Sequence, residues 1–131
     1  TRIESSAASD VYKRQKELGA TGIVVSNHGG RQLDGSRAPF DQLQEIVDAV
    51  GDDIDVIMDS GIQRGSHVLK ALAAGAKAVG GGRFYLYALA AAGQAGVERA
   101  LEIMRTEIER NMRLMGVSKI SELNRNHLRY R

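Results

Sequence analysis

Three short apolar runs, the first two rich in β-branched residues and the third unusually glycine-rich, constrain this chain more than any other feature. Each runs into a glycine-bearing polar loop and then into a segment with helical apolar spacing. The runs are Gly22-Ile23-Val24-Val25, Ile54–Met58 and Ala78-Val79-Gly80. Short, near-continuously apolar runs of this kind suit strands buried on both faces of a parallel sheet. Leu43, Ile46, Val47 and Val50 then share a helical face that Asp41 can cap and Gly51 ends. Val68, Leu69 and Leu72 mark a second helix over about Arg64–Ala74, stopped by Gly75. Leu86–Ala92 predicts a short helix. Gly96–Met115 predicts a long amphipathic one that carries Val97, Leu101, Ile103, Met104, Ile108, Met112 and Met115 and ends at Gly116. Strands alternating with helices, with no hairpin signal, predict parallel βα units of an α/β fold. Three strands are too few to close a barrel, which fits part of one.

Composition removes several function classes. The 131 residues suit one small domain. With no Cys there is no disulfide scaffold, no cysteine-ligated zinc or iron–sulfur site and no thiol nucleophile. The net charge of +2 is spread over 18 basic and 16 acidic side chains, and with 5% aromatics and no Trp this argues against nucleic acid as a partner. The uncharged run Phe84–Val97 falls short of the ~20 apolar residues of a membrane span. No His/Asp cluster has metal-ligand spacing, so no metal is expected.

The first fifteen residues stand apart. No helical or strand period is evident in them, and Ser5–Ser9 lacks the apolar centre of a signal peptide. Ser5-Ser6-Ala7-Ala8-Ser9-Asp10-Val11-Tyr12-Lys13-Arg14-Gln15 resembles the translation of a transposase sequencing adapter. Residues 1–15 are therefore expected to be non-native, with residues 16–131 entering in the last turn of a helix at Lys16–Ala20.

Polar residues gather after each strand, where parallel α/β folds place their sites. In Ser26-Asn27-His28-Gly29-Gly30-Arg31-Gln32, a His lies three residues before an Arg in a glycine-rich turn. His titrates near neutrality and suits proton abstraction, and a guanidinium grips a carboxylate with two parallel hydrogen bonds. The same spacing also fits a surface loop with a solvated His. Asp34 and Asp59 give one carboxylate per loop and no acid/base pair.

The motif Ser26–Gln32 resembles the active-site signature of FMN-dependent α-hydroxy acid oxidases and dehydrogenases. Asp59-Ser60-Gly61-Ile62-Gln63-Arg64-Gly65 with Val68–Leu72 and Gly75-Ala76-Lys77 is similar to that family's next βα unit. Gly82-Arg83 with Leu86–Ala90 and Ala92–Val97 is similar to its last one. Asp59–Ile62 and Tyr87–Val97 look most like the bacterial L-lactate dehydrogenase branch. The resemblance, from about Lys16 to Leu123, implies the C-terminal part, about the last three βα units, of a (β/α)8 TIM barrel. It implies His28 as catalytic base in contact with substrate, Arg31 as the substrate-carboxylate ligand, and Ser26, Asp59, Ser60, Gly61, Ile62, Gln63, Gly82 and Arg83 as FMN-binding residues. Backbone N–H groups at Gly61, a following helix N-terminus and the charge of Arg83 make physical sense for a phosphate.

The departures are specific. Family members usually carry Arg at the place of Gln63, which puts one phosphate-binding charge in question; side chains one residue apart point differently, so the adjacent Arg64 is not a secure substitute. Phe84 stands where Pro is common, and Gly81 replaces an apolar strand residue, which should weaken the last strand. His67, where Asp is common, is read as a surface residue. Met104, Met112 and Met115 are expected in core packing, and Tyr85 and Tyr87 on the surface or at an interface.

The implied chemistry is oxidation of an L-2-hydroxy acid, L-lactate first, to the 2-oxo acid. FMN is the cofactor, and a quinone, a cytochrome or oxygen is the electron acceptor. The resemblance also implies a homo-oligomeric full-length enzyme, cytoplasmic or peripheral on the inner membrane. The alternatives are a related FMN oxidase acting on glycolate, mandelate or a longer hydroxy acid, and an FMN- or phosphate-binding fragment without turnover.

Overall fold

A computed structural model of the chain describes residues 4–130. Helix α1 (Glu4–Glu17) leads into strand β1 (Gly22–Val25), helix α2 (Pro39–Val50), strand β2 (Asp55–Met58), helix α3 (Gly65–Ala73), strand β3 (Ala78–Val79) and helix α4 (Gly82–Met115). The sheet order is β1-β2-β3, all parallel, with Gly22 opposite Asp55, Val25 opposite Met58 and Ile57 opposite Ala78. The βα alternation read from the sequence is the observed architecture.

Both strand faces were expected to be buried, and only one is. Ile23, Val25, Val56 and Met58 point into a core with Leu43, Ile46 and Val50 of α2 and with Ala71 and Ala74 in and after α3. The opposite row is Val24, Ile57 and Ala78, and Val24 is 60% exposed. Successive side chains of a strand point to opposite faces. The core cluster lies on one of them, so every second strand residue faces outward.

Two further expectations need correction. Residues 1–15 showed no period, yet helix α1 covers Glu4–Glu17. Lys13, Arg14, Gln15, Lys16 and Glu17 are good helix formers, and Tyr12 packs against the core. Asp41 was assigned as the cap of α2, but that helix starts at Pro39, whose fixed φ and missing N–H suit the first helical position, and Asp41 lies in the first turn. The two helices expected over Leu86–Ala92 and Gly96–Met115 are present, as the two parts of α4. The observed α4 starts four residues earlier and breaks at Ala92 (φ −152°) and Gly93 (φ 57°).

The inward face of α4 is also narrower than its apolar pattern suggested. Met104 is buried and Ile108 packs on the core, whereas Leu101, Ile103 and Met115 are exposed. The reason is a close helix contact at Gly65. A Cβ there would lie 2.6 Å from both Glu107 Cβ and Ile108 N, so the missing side chain lets α3 and α4 touch along one stripe. Strand β3 has only two residues and runs into Gly80-Gly81. Phe84, where the family has Pro, packs against the core. Among the described residues no helix is long and apolar enough to cross a membrane.

Candidate active site at the carboxyl ends of the strands

Because the three strands are parallel and adjacent, the loops after them emerge side by side. The first and second are joined by direct bonds. Ser26 Oγ donates to Asp59 Oδ2 at 2.6 Å and lies 3.2 Å from Ser60 Oγ. Gly29 N–H points at both Asn27 Oδ1 (2.9 Å) and Ser60 Oγ (3.3 Å). His28 N–H donates to Ser26 Oγ at 3.1 Å. Ser60 (φ 81°) and His28 (φ 53°) are both in left-handed conformations, which a side chain occupies at a cost. Ser60 sits there with its hydroxyl bridging the two loops.

The third loop reaches the first through Arg83, whose Nη2 donates to Gly29 O at 3.3 Å. Gly29 has φ +67°, and a Cβ on it would stand 1.9 Å from that nitrogen. The left-handed backbone favours glycine here, and the missing side chain leaves room for the approach of Arg83.

The result is an open cleft of about 650 Å³ lined by His28, Arg31, Asp59, Ser60, Gly61, Ile62, Gln63, Gly82 and Arg83, with Phe84 and Leu86 at one side. Every candidate residue read from the sequence lines it except Ser26, which holds Asp59 from behind. A second cavity of about 560 Å³ shares Gly29, Ser60, Gly61, Ile62 and Arg83, and continues to Asp34, Phe40, His67 and Lys70.

The cleft is set up for an anion. Arg31 and Arg83 outnumber Asp59 on its walls. Helix α4 begins at its floor with Gly81 as N-cap and no side-chain cap. Its first N–H groups therefore have no partner within the helix and carry the positive end of its dipole. At Gly82 a Cβ would find nothing within 4 Å, so the backbone there faces open space.

The start of α3 is different. Glu107, 7% exposed, accepts from Gly65 N–H at 2.8 Å and from Arg64 Nε at 2.8 Å. Arg64 and the Gly65 N–H hold its carboxyl below the ordinary glutamate value. A protein carboxylate thus already occupies this helix N-terminus, and Arg64 is tied to it and does not replace a charge at Gln63.

Sequence reasoning missed the roles of three residues. Glu107 sits between Met104 and Ile108 on the inward stripe of α4, and an acid on an apolar face was the available signal. Ser60 was expected as a cofactor contact, and it also ties the loops together. His67, read as a surface residue, is half-buried, with Nδ1 at 3.0 Å from Gly61 O and 3.3 Å from Gln63 N. Its ring closes the turn Gly61–Gln63, because the helical start at Gly65 folds residue 67 back over that loop.

Fold and cleft together define a segment of a βα barrel that presents a His–Arg loop beside an anion-binding floor. Residues 7–130 match the family model described as FMN-dependent dehydrogenase, and the chain belongs to that family. The cytochrome-type L-lactate dehydrogenase of Saccharomyces cerevisiae is 53% identical over 119 residues, covering 87% of this chain and 20% of that protein. A flavocytochrome b2 variant solved with pyruvate bound superposes with a TM-score of 0.86 at 48% identity, covering 90% of this chain and 31% of that one. A mandelate oxidase variant solved with a monooxide FMN adduct gives 0.85 at 47%, covering 89% and 37%. The chain spans between 20% and 33% of the length of the curated relatives it matches. Its three βα units are the C-terminal part of a (β/α)8 barrel.

Proposed function

We propose that the protein containing this chain oxidises an L-2-hydroxy acid to the 2-oxo acid with FMN, and that L-lactate is the substrate. The observation that carries this reading is the convergence of His28 and Arg31 with Asp59–Gln63 and Gly82-Arg83 on one cleft. The donor set suits a flavin phosphate: backbone N–H groups at the start of α4, the Arg83 guanidinium, the turn Gly61–Gln63, and open space at Gly82. Asp59, kept in place by Ser26 and Ser60, accepts hydrogen bonds from a polyol chain. FMN, when bound, would supply the acceptor for two electrons and the second proton.

The chain's own residues do the rest. Arg31 binds the substrate carboxylate and orients C2, replacing a free encounter by a positioned one. His28, on the wall beside it, takes one proton from the substrate. Loss of two electrons and two protons turns the alcohol at C2 into a carbonyl; His28 holds one of those protons. The left-handed backbone at His28, with its N–H on Ser26 Oγ, gives the ring a defined origin above the sheet.

The test is flavin absorbance in the whole protein mixed anaerobically with L-lactate, glycolate or mandelate. Bleaching with L-lactate is the expected result. Bleaching only with another hydroxy acid corrects the substrate, and bound FMN that none of them bleaches overturns the oxidation. Residues 1–15 have no part in this chemistry, and we read them as adapter-derived; genomic sequence across Lys16 tests that reading.

A further inference from the structure

We propose that His67 is a positioning residue for the flavin phosphate, and that its ring decides whether the Gln63 backbone N–H is free to bind that phosphate. The inference rests on the reading above that FMN lies along Gly61–Gln63 and Gly82-Arg83. Its geometric basis is a conflict at one atom. His67 Nδ1 lies 3.0 Å from Gly61 O, an acceptor, and 3.3 Å from Gln63 N, a donor. A ring nitrogen is either donor or acceptor, so it serves only one of these at a time.

With Nδ1 unprotonated, the ring accepts from Gln63 N–H and withdraws that donor from the cleft. With Nδ1 protonated, the ring donates to Gly61 O, and Gln63 N–H turns to whatever anion occupies the cleft, which Gln63 lines. An imidazolium in this second state also adds a positive charge behind the loop where Gln63 itself brings none. An Asp at this position has no proton to give near neutral pH and cannot make the bond to Gly61 O. The charged groups sharing the cavity with His67 are Asp34 from the first loop, Lys70 from α3 and Arg83 from α4. A phosphate in the cleft favours the arrangement in which Nδ1–H donates to Gly61 O, because that arrangement releases Gln63 N–H to it.

The test compares FMN with riboflavin, which lacks the phosphate, by fluorescence titration of the whole apoprotein at pH 5.5 to 8.5. The phosphate's own second ionisation, near pH 6, strengthens FMN binding as pH rises. The FMN-to-riboflavin affinity ratio is therefore compared at the same pH in the unaltered protein, His67→Asp and His67→Ala. His67→Asp, which can only accept from Gln63 N–H, should lower the ratio by about 5- to 10-fold, the loss of one charge-assisted hydrogen bond, and His67→Ala, which leaves that N–H free, should lower it less. Nitrogen-15 spectra of labelled His67 should show Nδ1 gaining a proton on addition of FMN and not of riboflavin. An unchanged ratio in His67→Asp, or an Nδ1 that stays unprotonated with FMN bound, overturns the role of His67. Equal binding of FMN and riboflavin by the unaltered protein instead overturns the phosphate site itself.

Discussion

Gly29→Ala tests the join between the His28 loop and the start of α4. Alanine at φ +67° carries a conformational cost of roughly 1–2 kcal/mol. Its Cβ would also stand 1.9 Å from Arg83 Nη2, at the end of a flexible side chain, so the guanidinium yields before the backbone does. That breaks the 3.3 Å bond to Gly29 O, a further loss of about 0.5–1.5 kcal/mol. Apoprotein stability should fall by about 1.5–3.5 kcal/mol in urea denaturation. FMN affinity should fall by about 10- to 100-fold, because the displaced Arg83 no longer meets the phosphate with a charged hydrogen bond. The argument runs through Arg83, so a double-mutant cycle decides it. In an Arg83→Ala background, Gly29→Ala should retain its strain cost and lose most of its effect on FMN. Additive losses of FMN affinity, or a Gly29→Ala protein that binds FMN normally, would refute the reasoning.

The remaining predictions address separate residues. His28→Gln should leave FMN bound and slow flavin reduction by at least ~100-fold in stopped-flow absorbance, the typical worth of a positioned base. Arg31→Lys should raise KM and lower kcat for the hydroxy acid, since an ammonium cannot form the two-pronged contact; an unchanged kcat/KM counts against the carboxylate role. Gln63→Arg should tighten FMN binding, because Arg64 is held by Glu107 and leaves that charge unsupplied; unchanged or weaker titration curves would show a different phosphate geometry. The Glu107 carboxyl is lowered from its ordinary 4.5, chiefly by Arg64 and then by the Gly65 N–H. Its contribution is therefore complete above that value and is lost as pH falls through the lower, folded-state value. Glu107→Gln should be less stable at pH 7, with a flatter fall in urea midpoint below pH 4.5; parallel pH curves would argue against it.

What could be read from the sequence was what neighbouring residues dictate to one another. The run Gly22–Val25 is the observed β1, because continuous β-branched residues leave the backbone few alternatives to extension. Gly75 and Gly116 follow the ends of α3 and α4, both at positive φ. The positions of the three loops follow from these local signals, and with them nearly all the residues of the cleft.

Helix α1 was missed because its sequence has helix-forming residues without a clear apolar stripe, and its packing on α2 comes from outside the segment. Only the tertiary structure decided the rest. Ser26 meets Asp59 across 33 positions, Glu107 meets Gly65 across 42 and Arg83 meets Gly29 across 54. Such pairs depend on strand register and helix contact, which set where distant side chains arrive. No local pattern encodes that a glycine at position 65 will let two helices touch, or that Arg64 will turn away from the cleft. The roles of Ser60, His67 and Glu107 as the supports of this site belong to the fold, because each acts on backbone groups whose positions only long-range packing creates.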